Sequence, residues 1–367
     1  MLSSVGVGDS TASPTAALLL SIVQDSVGRV ATIAFADRYG TALEPECKMY
    51  RLLADVLNDI AFVLDCMSPI FPKAIRIVIL SFSSVLRALC GVAAGSAKAS
   101  LSAHFARWGN LGELNAKDSS QETVISLLGS LAGSVVVYYV TTPVATWTTL
   151  ILLLAIHLET NRRAVRAVSM RTLNRQRATL VYHHLKQGHV PKPREVSEQE
   201  FVFERDGVLR SVLGAPLGWC TMGSQLASPL RHMSFKRGVS QSLLMKSSWF
   251  QQTMLLLKDR RYVLILQEGS LVPLMYVVLE KEATTADVLV GWWHALAFAE
   301  ASTVDMKGVR DLTYVNEGKL FPRIATTAQT TTTMMEQYQA RLVEAGWDLD
   351  TNALETRSSS RISIGAN

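Results

Sequence analysis

Residues 123–158 contain no Asp, Glu, Lys or Arg. That run is too long for one ordinary bilayer crossing, which takes about 20 residues. It fits two short crossings, 124–140 and 144–157, turned at Thr141-Thr142-Pro143. Ser126, Ser130 and Ser134 recur every four residues beside Gly129 and Gly133, forming the kind of small-residue ridge along which membrane helices pack. A water-soluble fold rarely carries such a run, so a helical hairpin inside a lipid bilayer is expected.

Ahead of the hairpin, residues 24–66 mix apolar side chains with Asp25, Arg29, Asp37, Arg38, Glu44, Glu46, Lys48, Arg51, Asp55, Asp59 and Asp65. At about 100° of turn per residue, Lys48, Arg51, Asp55, Asn58, Asp59 and Asp65 fall within one helical stripe, with Leu53, Leu57, Ile60 and Leu64 on the other side. In the preceding segment Ser21, Asp25, Arg29, Thr32 and Ala36 share a face, and Asp25 and Arg29 are spaced for an i,i+4 ion pair. The stripe has two readings. One is an amphipathic surface helix with solvated charges; the other is an embedded bundle in which the charges pair or line a polar cavity. The charge-free run favours the second.

The boundaries follow from local signals. A first helix over 18–35 is expected to end at Asp37-Arg38-Tyr39-Gly40, with Gly40 supplying a left-handed C-terminal position. Glu44-Pro45-Glu46 opens the striped helix, where proline and acids suit a first turn, and Ser68-Pro69 and Phe71-Pro72 close it. Residues 74–97 are long enough to span a bilayer, although a buried core helix is the competing reading. Arg76 can snorkel at one end, whereas Arg87 lies mid-helix and needs a carboxylate, a backbone carbonyl or water. Gly91 and Gly95 form a GxxxG step. Residues 104–121 read as a polar connection, which puts Asn115, Lys117, Asp118, Gln121 and Glu122 at the mouth of the hairpin.

The net charge of +5 comes mainly from residues 161–194, which carry nine Arg and Lys, among them Arg162, Arg163 and Arg166, and no acid. Directly after an apolar hairpin this matches the positive-inside rule, and it places both hairpin ends and everything downstream on the cytosolic side. Control of topology is the favoured reading, with anionic lipid headgroups as alternative ligands. His183, His184 and His189 have no acid or cysteine at ligand spacing, so no metal site is expected. Nor is nucleic acid an expected partner, because neither an aromatic-basic RNA motif nor zinc-finger spacing is present. Cys47, Cys66, Cys90 and Cys220 are scattered, without a CxxC.

Beyond Glu195 the texture becomes a smaller α+β domain, expected over 195–350. Residues 262–267 and 272–279 read as a strand hairpin across Glu268-Gly269-Ser270. Thr285-Ala286-Asp287 caps a helix with Leu289, Trp293, Leu296 and Ala297 inward. A last helix over 331–345 is stopped by Gly346. The full expectation is therefore a mainly α chain with five parts. A flexible leader or remnant of a longer N-terminus occupies 1–14, and a multi-helix integral membrane domain occupies 15–160. A basic juxtamembrane helix and linker (161–194), the cytosolic α+β domain and a disordered tail (351–367) follow.

No GxxxxGK[ST], GxSxG, HExxH or strand-linked GxGxxG is present, and the partial deaminase pattern at His157-Leu158-Glu159 lacks its PCxxC. Several motifs do fall in register with one family: Gln24-Asp25-Ser26-Val27-Gly28-Arg29, Phe35-Ala36-Asp37-Arg38-Tyr39-Gly40, Glu44-Pro45-Glu46-Cys47-Lys48, Leu86-Arg87-Ala88-Leu89-Cys90-Gly91 and Asn115-Ala116-Lys117-Asp118-Ser119-Ser120-Gln121-Glu122. Over roughly the first half the chain resembles the root UVB sensitive family, and Ala345-Gly346-Trp347 is similar to that family's C-terminal region. The resemblance implies a eukaryotic integral membrane protein, with further native residues ahead of the equivalent of Val5-Gly6-Val7-Gly8-Asp9. It implies no defined reaction.

Two functions are carried forward. In the first, the intramembrane charges bind or transport a small polar solute, with homo- or hetro-oligomerisation with a related membrane protein through the GxxxG face. In the second, the helices anchor a scaffold whose C-terminal domain recruits a partner, with Trp292 or Trp293 as an exposed hot spot. An intramembrane enzyme would need a paired catalytic set, and the sequence offers none. Neither catalytic residues nor a cofactor is expected.

Overall fold

Pro14–Tyr39 winds as one helix, α1, which ends within the expected Asp37-Arg38-Tyr39-Gly40 stretch, just before Gly40. The structure is a computed structural model and describes residues 14–106, 109–256, 258–267, 273–305, 317–357 and 360–363; residues 1–13 of the expected leader lie outside these. Gly40 does not adopt a left-handed cap but opens a 3-10 turn, Gly40–Ala42. Glu44 and Pro45 fall in the turn that follows, and Glu46 is the N-cap of α2 (Cys47–Met67). The acids thus precede the second helix instead of forming its first turn, because the Glu46 and Cys47 amides are already bonded back to Ala42 and Glu44. A second 3-10 turn, Ser68–Ile70, leads to α3 (Lys73–Phe105), α4 (Leu111–Tyr139) and α5 (Pro143–Ala167).

The expected polar connection is largely helix. Gly109 takes a positive φ of 75°, and from Leu111 no proline interrupts α4, which carries Gly112, Gly129 and Gly133 within the helix. The break at Thr141-Thr142-Pro143 is where the sequence placed it: Pro143 occupies a first-turn position, and the Thr142 hydroxyl accepts from the Ala145 amide at 3.3 Å. α3, α4 and α5 are each long and apolar enough to cross a membrane. α1 and α2 both pack on α3, and α2 also meets α5. Gly28 sets the α1–α3 approach, since a Cβ there would lie 3.4 Å from the Ala88 Cβ.

The chain divides at Val168/Ser169 into two units. The expected segment 161–194 is therefore split: its first residues finish α5, and the remainder opens the second unit. That unit contains α6 (Arg175–Lys186), α7 (Pro193–Gln199), β1 (Val208–Arg210) and β2 (Pro216–Met222). The short helices α8 (Ala227–Arg237), α9 (Gln241–Met245) and α10 (Ser248–Leu256) follow, then β3 (Tyr262–Gln267) and β4 (Leu274–Leu279). α11 (Thr285–Asp305) and α12 (Glu317–Glu344) complete it. The expected hairpin is present as the antiparallel β3–β4 pair, although its turn lies outside the described residues. It belongs to a larger sheet, β1-β2-β4-β3, in which β2 runs parallel to β4.

α11 is the centre of this unit's core and is apolar nearly all round, as a fully buried helix must be. Val288, Trp292, Trp293, Ala295, Leu296 and Ala299 are inaccessible to solvent. The indole of Trp292 donates to the Thr179 hydroxyl (3.0 Å), and that of Trp293 to the Ala178 carbonyl (2.9 Å), both on α6. Neither tryptophan is available as an exposed hot spot. Gly291 faces the sheet, where a Cβ would stand 3.1 Å from Val277 Cγ1. The cap is Thr284, one residue ahead of the expected position, and it exchanges hydrogen bonds with Asp287 in a capping box. Gly346 ends α12 with a φ of 100°.

One further expectation is corrected and another narrowed. The tail does not dangle: Ala353, Leu354 and Thr356 are buried, Ile362 bridges to Glu280, and Arg361 donates to the Ala283 carbonyl at 2.8 Å. Residues 358–359 and 364–367 lie outside the described set. The alternative reading of the basic run as ligands for lipid headgroups is narrowed, because acids from outside the run consume several of its charges. Arg177 is buried with Glu200 at 2.7 Å, Arg175 pairs with Asp206, and Lys186 meets Glu300 at 2.7 Å.

His294 on α11 is fully buried, and desolvation pushes its pKa down to about 3. Its Nε2–H donates to the Ile324 carbonyl (3.1 Å), and its Nδ1 accepts from the Tyr262 hydroxyl (3.1 Å). The unfolded chain binds this proton near pH 6.5, while the folded chain refuses it down to about pH 3. Stability is therefore complete above pH 6.5 and falls as pH drops through that window, with a slope of up to about 1.4 kcal/mol per pH unit from this residue. Denaturant melts between pH 4 and 7 should show that slope in the wild-type chain, and His294→Gln should flatten it.

Candidate functional site

The candidate site is the inner face of α2. Lys48, Asp55, Asp59 and Asp65 are 6%, 8%, 5% and 8% exposed, whereas Ile60 on the opposite side is 45% exposed. Leu53, Leu57 and Leu64 are half-buried. A water-soluble amphipathic helix has the reverse arrangement. Ala54 and Ala61 have no exposed surface, and these small residues let α3 come close. Across that contact the Ser83 hydroxyl donates to the Ala61 carbonyl at 3.1 Å.

The carboxylates are tied to three helices. Arg51 donates to Asp55 Oδ1 at 2.7 Å within α2. Asp65 pairs with Arg87 of α3, whose guanidinium also lies 4.8 Å from the centre of the Phe62 ring. Asp59 takes the Nδ1–H of His157 on α5, with oxygens at 3.0 and 3.1 Å. Asp55 Oδ2 is buried and has no partner among the described residues. Cys90 of α3 sits within electrostatic reach of Asp55, Asp59, Arg51 and Arg87. Such a line offers one unspent acceptor and a carboxylate–imidazole pair able to hold or pass a proton.

The remaining expected site residues lie elsewhere. Asp25 and Arg29 are exposed on α1 and do not form the ion pair their spacing allows; Asp37, Arg38 and Glu44 are exposed as well. Glu46 and Asn58 are half-buried. The hairpin-mouth residues form a second group around Lys98 of α3, whose ammonium donates to Asp118 and to Glu122, both at 2.8 Å. Lys117 meets Glu113 at 2.5 Å on the same helix, Asn115 is half-buried and Gln121 is exposed. Gly91, Gly95, Gly129 and Gly133 have open space where a Cβ would go, and α4 buries no residue, so these small-residue faces pack against nothing described in the chain. Arg162 and Arg163 both bond Glu159 at 2.7 Å on α5, leaving less charge for headgroups, while Arg166 is exposed. No group of metal-ligating side chains occurs among the described residues.

His157 and Lys98 were missed in the sequence. The signal for His157 was its isolation: it is the one histidine within a span free of Asp, Glu, Lys and Arg, yet it drew notice only as a fragment of an enzyme motif.

Comparison with known proteins places this geometry. Residues 1–188 match the family described as "Vitamin B6 photo-protection and homoeostasis domain", and residues 224–358 match "Root UVB sensitive protein, C-terminal". The chain belongs to the root UVB sensitive family. Root UVB sensitive 3 of Arabidopsis thaliana is 33% identical over 309 residues, covering 82% of this chain and 65% of that protein. RUS family member 1 of Dictyostelium discoideum is 37% identical over 205 residues, covering 54% and 39%. Root UVB sensitive 2, chloroplastic, of Arabidopsis thaliana is 26% identical over 282 residues, covering 76% and 59%. The chain thus spans less than two thirds of the length of these relatives. No solved structure matches it. The stripe and its Arg87 and His157 partners all lie within the first family region.

The Asp65–Arg87 pair gives a direct test. Arg87→Leu strands a buried carboxylate and should cost about 3 kcal/mol. Asp65→Leu/Arg87→Leu removes both charges and should recover most of that loss, read as melting of the detergent-solubilised chain.

Proposed function

We propose that the N-terminal unit of this root UVB sensitive family member is an integral membrane helical bundle that binds and moves a small polar solute along the inner face of α2. The observation that carries this reading is the inversion of α2, whose carboxylates face inward while Ile60 faces outward and Leu53, Leu57 and Leu64 are only half-buried. Lipid suits the outward face, and the paired charges suit a bundle interior. α3, α4 and α5 supply three candidate spans. The free oxygen of Asp55 supplies an acceptor for a solute N–H or O–H group, with Asp59–His157 one helical turn away. Arg162, Arg163 and Arg166 at the end of α5 favour a cytosolic position for that end. The family description names vitamin B6 homoeostasis, which makes an uncharged B6 vitamer such as pyridoxine the first solute to test. The reading is non-enzymatic.

A scaffold role keeps one supporting observation. With Trp292 and Trp293 buried, the apolar side chains exposed for a partner include Phe235 (90% exposed), Leu243 (61%) and Leu255 (72%) on α8, α9 and α10.

The purified chain reconstituted in liposomes should take up labelled pyridoxine. Asp55→Asn and Asp59→Asn should each slow uptake at least tenfold without lowering the amount of folded protein. Uptake unchanged in both variants, or absent in the wild-type chain, would sink the solute reading and leave the scaffold.

A further inference from the structure

A second polar cavity, of about 170 Å³, lies wholly within the C-terminal unit, between the start of α6, strand β2 and the docked tail. Its charged lining is Arg175, Asp206 and Arg357. Arg175 is 8% exposed and pairs with Asp206 Oδ1, Arg357 stands 3.5 Å from Asp206 Oδ2, and the Thr356 hydroxyl donates to Oδ1 at 3.3 Å. Two guanidiniums thus share one carboxylate, which leaves the cavity with an excess positive charge. Arg175 is also the first residue of the twelve-residue α6, so the positive end of that helix adds to the field. Trp219 and Thr221 alternate along β2 and line the same space. Neither the Trp219 indole N–H nor the Thr221 hydroxyl bonds a described residue. The thiol of Cys220 between them plays no chemical part, because burial pushes its pKa up to about 12.

We propose that this cavity is a binding site for a small oxyanion, a phosphate group carried either as inorganic phosphate or as a phosphomonoester. Convergent guanidiniums recognise phosphate in a fixed, multidentate geometry, and unspent O–H and N–H donors beside them complete the set a tetrahedral oxyanion needs. A cation is disfavoured by the net charge, and an apolar ligand by the donors. Asp206 holds the place an anion would take, so it competes with the ligand while keeping the two arginines in position. Arg357 comes from the C-terminal segment, so an occupied site would fasten that segment more firmly to β2 and α6. The site is independent of the membrane unit and of whatever solute that unit handles.

The sign of the Asp206 effect separates a binding site from a structural ion pair. Full-length chain in detergent is titrated calorimetrically with inorganic phosphate, and in parallel with glycerol 3-phosphate, at constant ionic strength. Saturable binding is expected, with Asp206→Asn tightening it about tenfold and Arg357→Gln weakening it about tenfold. Arg357 is half-exposed, so its variant should fold even where Asp206→Asn loses stability. Tighter binding of glycerol 3-phosphate identifies a phosphomonoester as the ligand; equal or weaker binding identifies free phosphate. The proposal is overturned if neither wild type nor Asp206→Asn binds either probe saturably below 10 mM of added probe (on the order of 3 kcal/mol of binding free energy), or if both variants shift affinity in the same direction.

Discussion

A carboxylate on the inner face of a helix must find a positive partner or lose its charge, and the N-terminal unit is arranged around that requirement. Removing a carboxylate from water carries a penalty of several kcal/mol, offset only by close pairing and hydrogen bonds. α2 carries three buried aspartates, and two of them reach to other helices, Asp65 to Arg87 on α3 and Asp59 to His157 on α5. These contacts fix the rotation of α2 about its axis. Once Asp59 and Asp65 point inward, Ile60, on the opposite face, can only point out. The apolar contacts then follow, with Ala54 and Ala61 allowing α3 to settle against the polar line.

The two units solve the problem of buried polarity in different ways. In the C-terminal unit a nearly all-apolar helix, α11, is surrounded by the sheet, α6 and α12, and its Trp292, Trp293 and His294 are matched, while the buried Ser302 hydroxyl has no partner among the described residues. His294 is held neutral between Tyr262 and Ile324, and each indole N–H has its acceptor on α6. In the N-terminal unit charge remains inside the helices, and one carboxylate oxygen is left unmatched. Unmatched polarity in a structured bundle costs stability, which is why the functional reading is centred on Asp55.

Spacing alone made much of this visible. The helical stripe of α2, the turn at Pro143 and the β3–β4 hairpin depend on local periodicity and on proline, which the sequence states directly. What spacing does not state is which distant residue answers a charge. His157 stands 98 positions from Asp59, and Asp206 lies beyond the basic run whose Arg175 it pairs with, so the run showed no acid of its own. The polar stretch after Gly109 read as a connection because its composition resembles a loop, yet it contains no proline and continues as helix. The tail read as disordered from its serines, although its docking depends on a few apolar side chains, on backbone bonds between Ile362 and Leu279 and Lys281, and on the Arg361 guanidinium bonded to the Ala283 carbonyl. Strand β1 escaped notice because it is only three residues long, and β2 because its alternation is weak.

The most direct test of the inverted α2 is site-directed spin labelling of the chain in lipid nanodiscs, at positions 55, 59 and 60 in a background lacking the four native cysteines. Collision with oxygen, which concentrates in lipid, is compared with collision with a water-soluble nickel chelate. A label replacing Ile60 should relax strongly with oxygen and weakly with nickel, and labels replacing Asp55 and Asp59 should respond little to oxygen. Strong nickel relaxation at 60 would mean that the apolar face of α2 meets water, and α2 would then not be part of a membrane-embedded bundle.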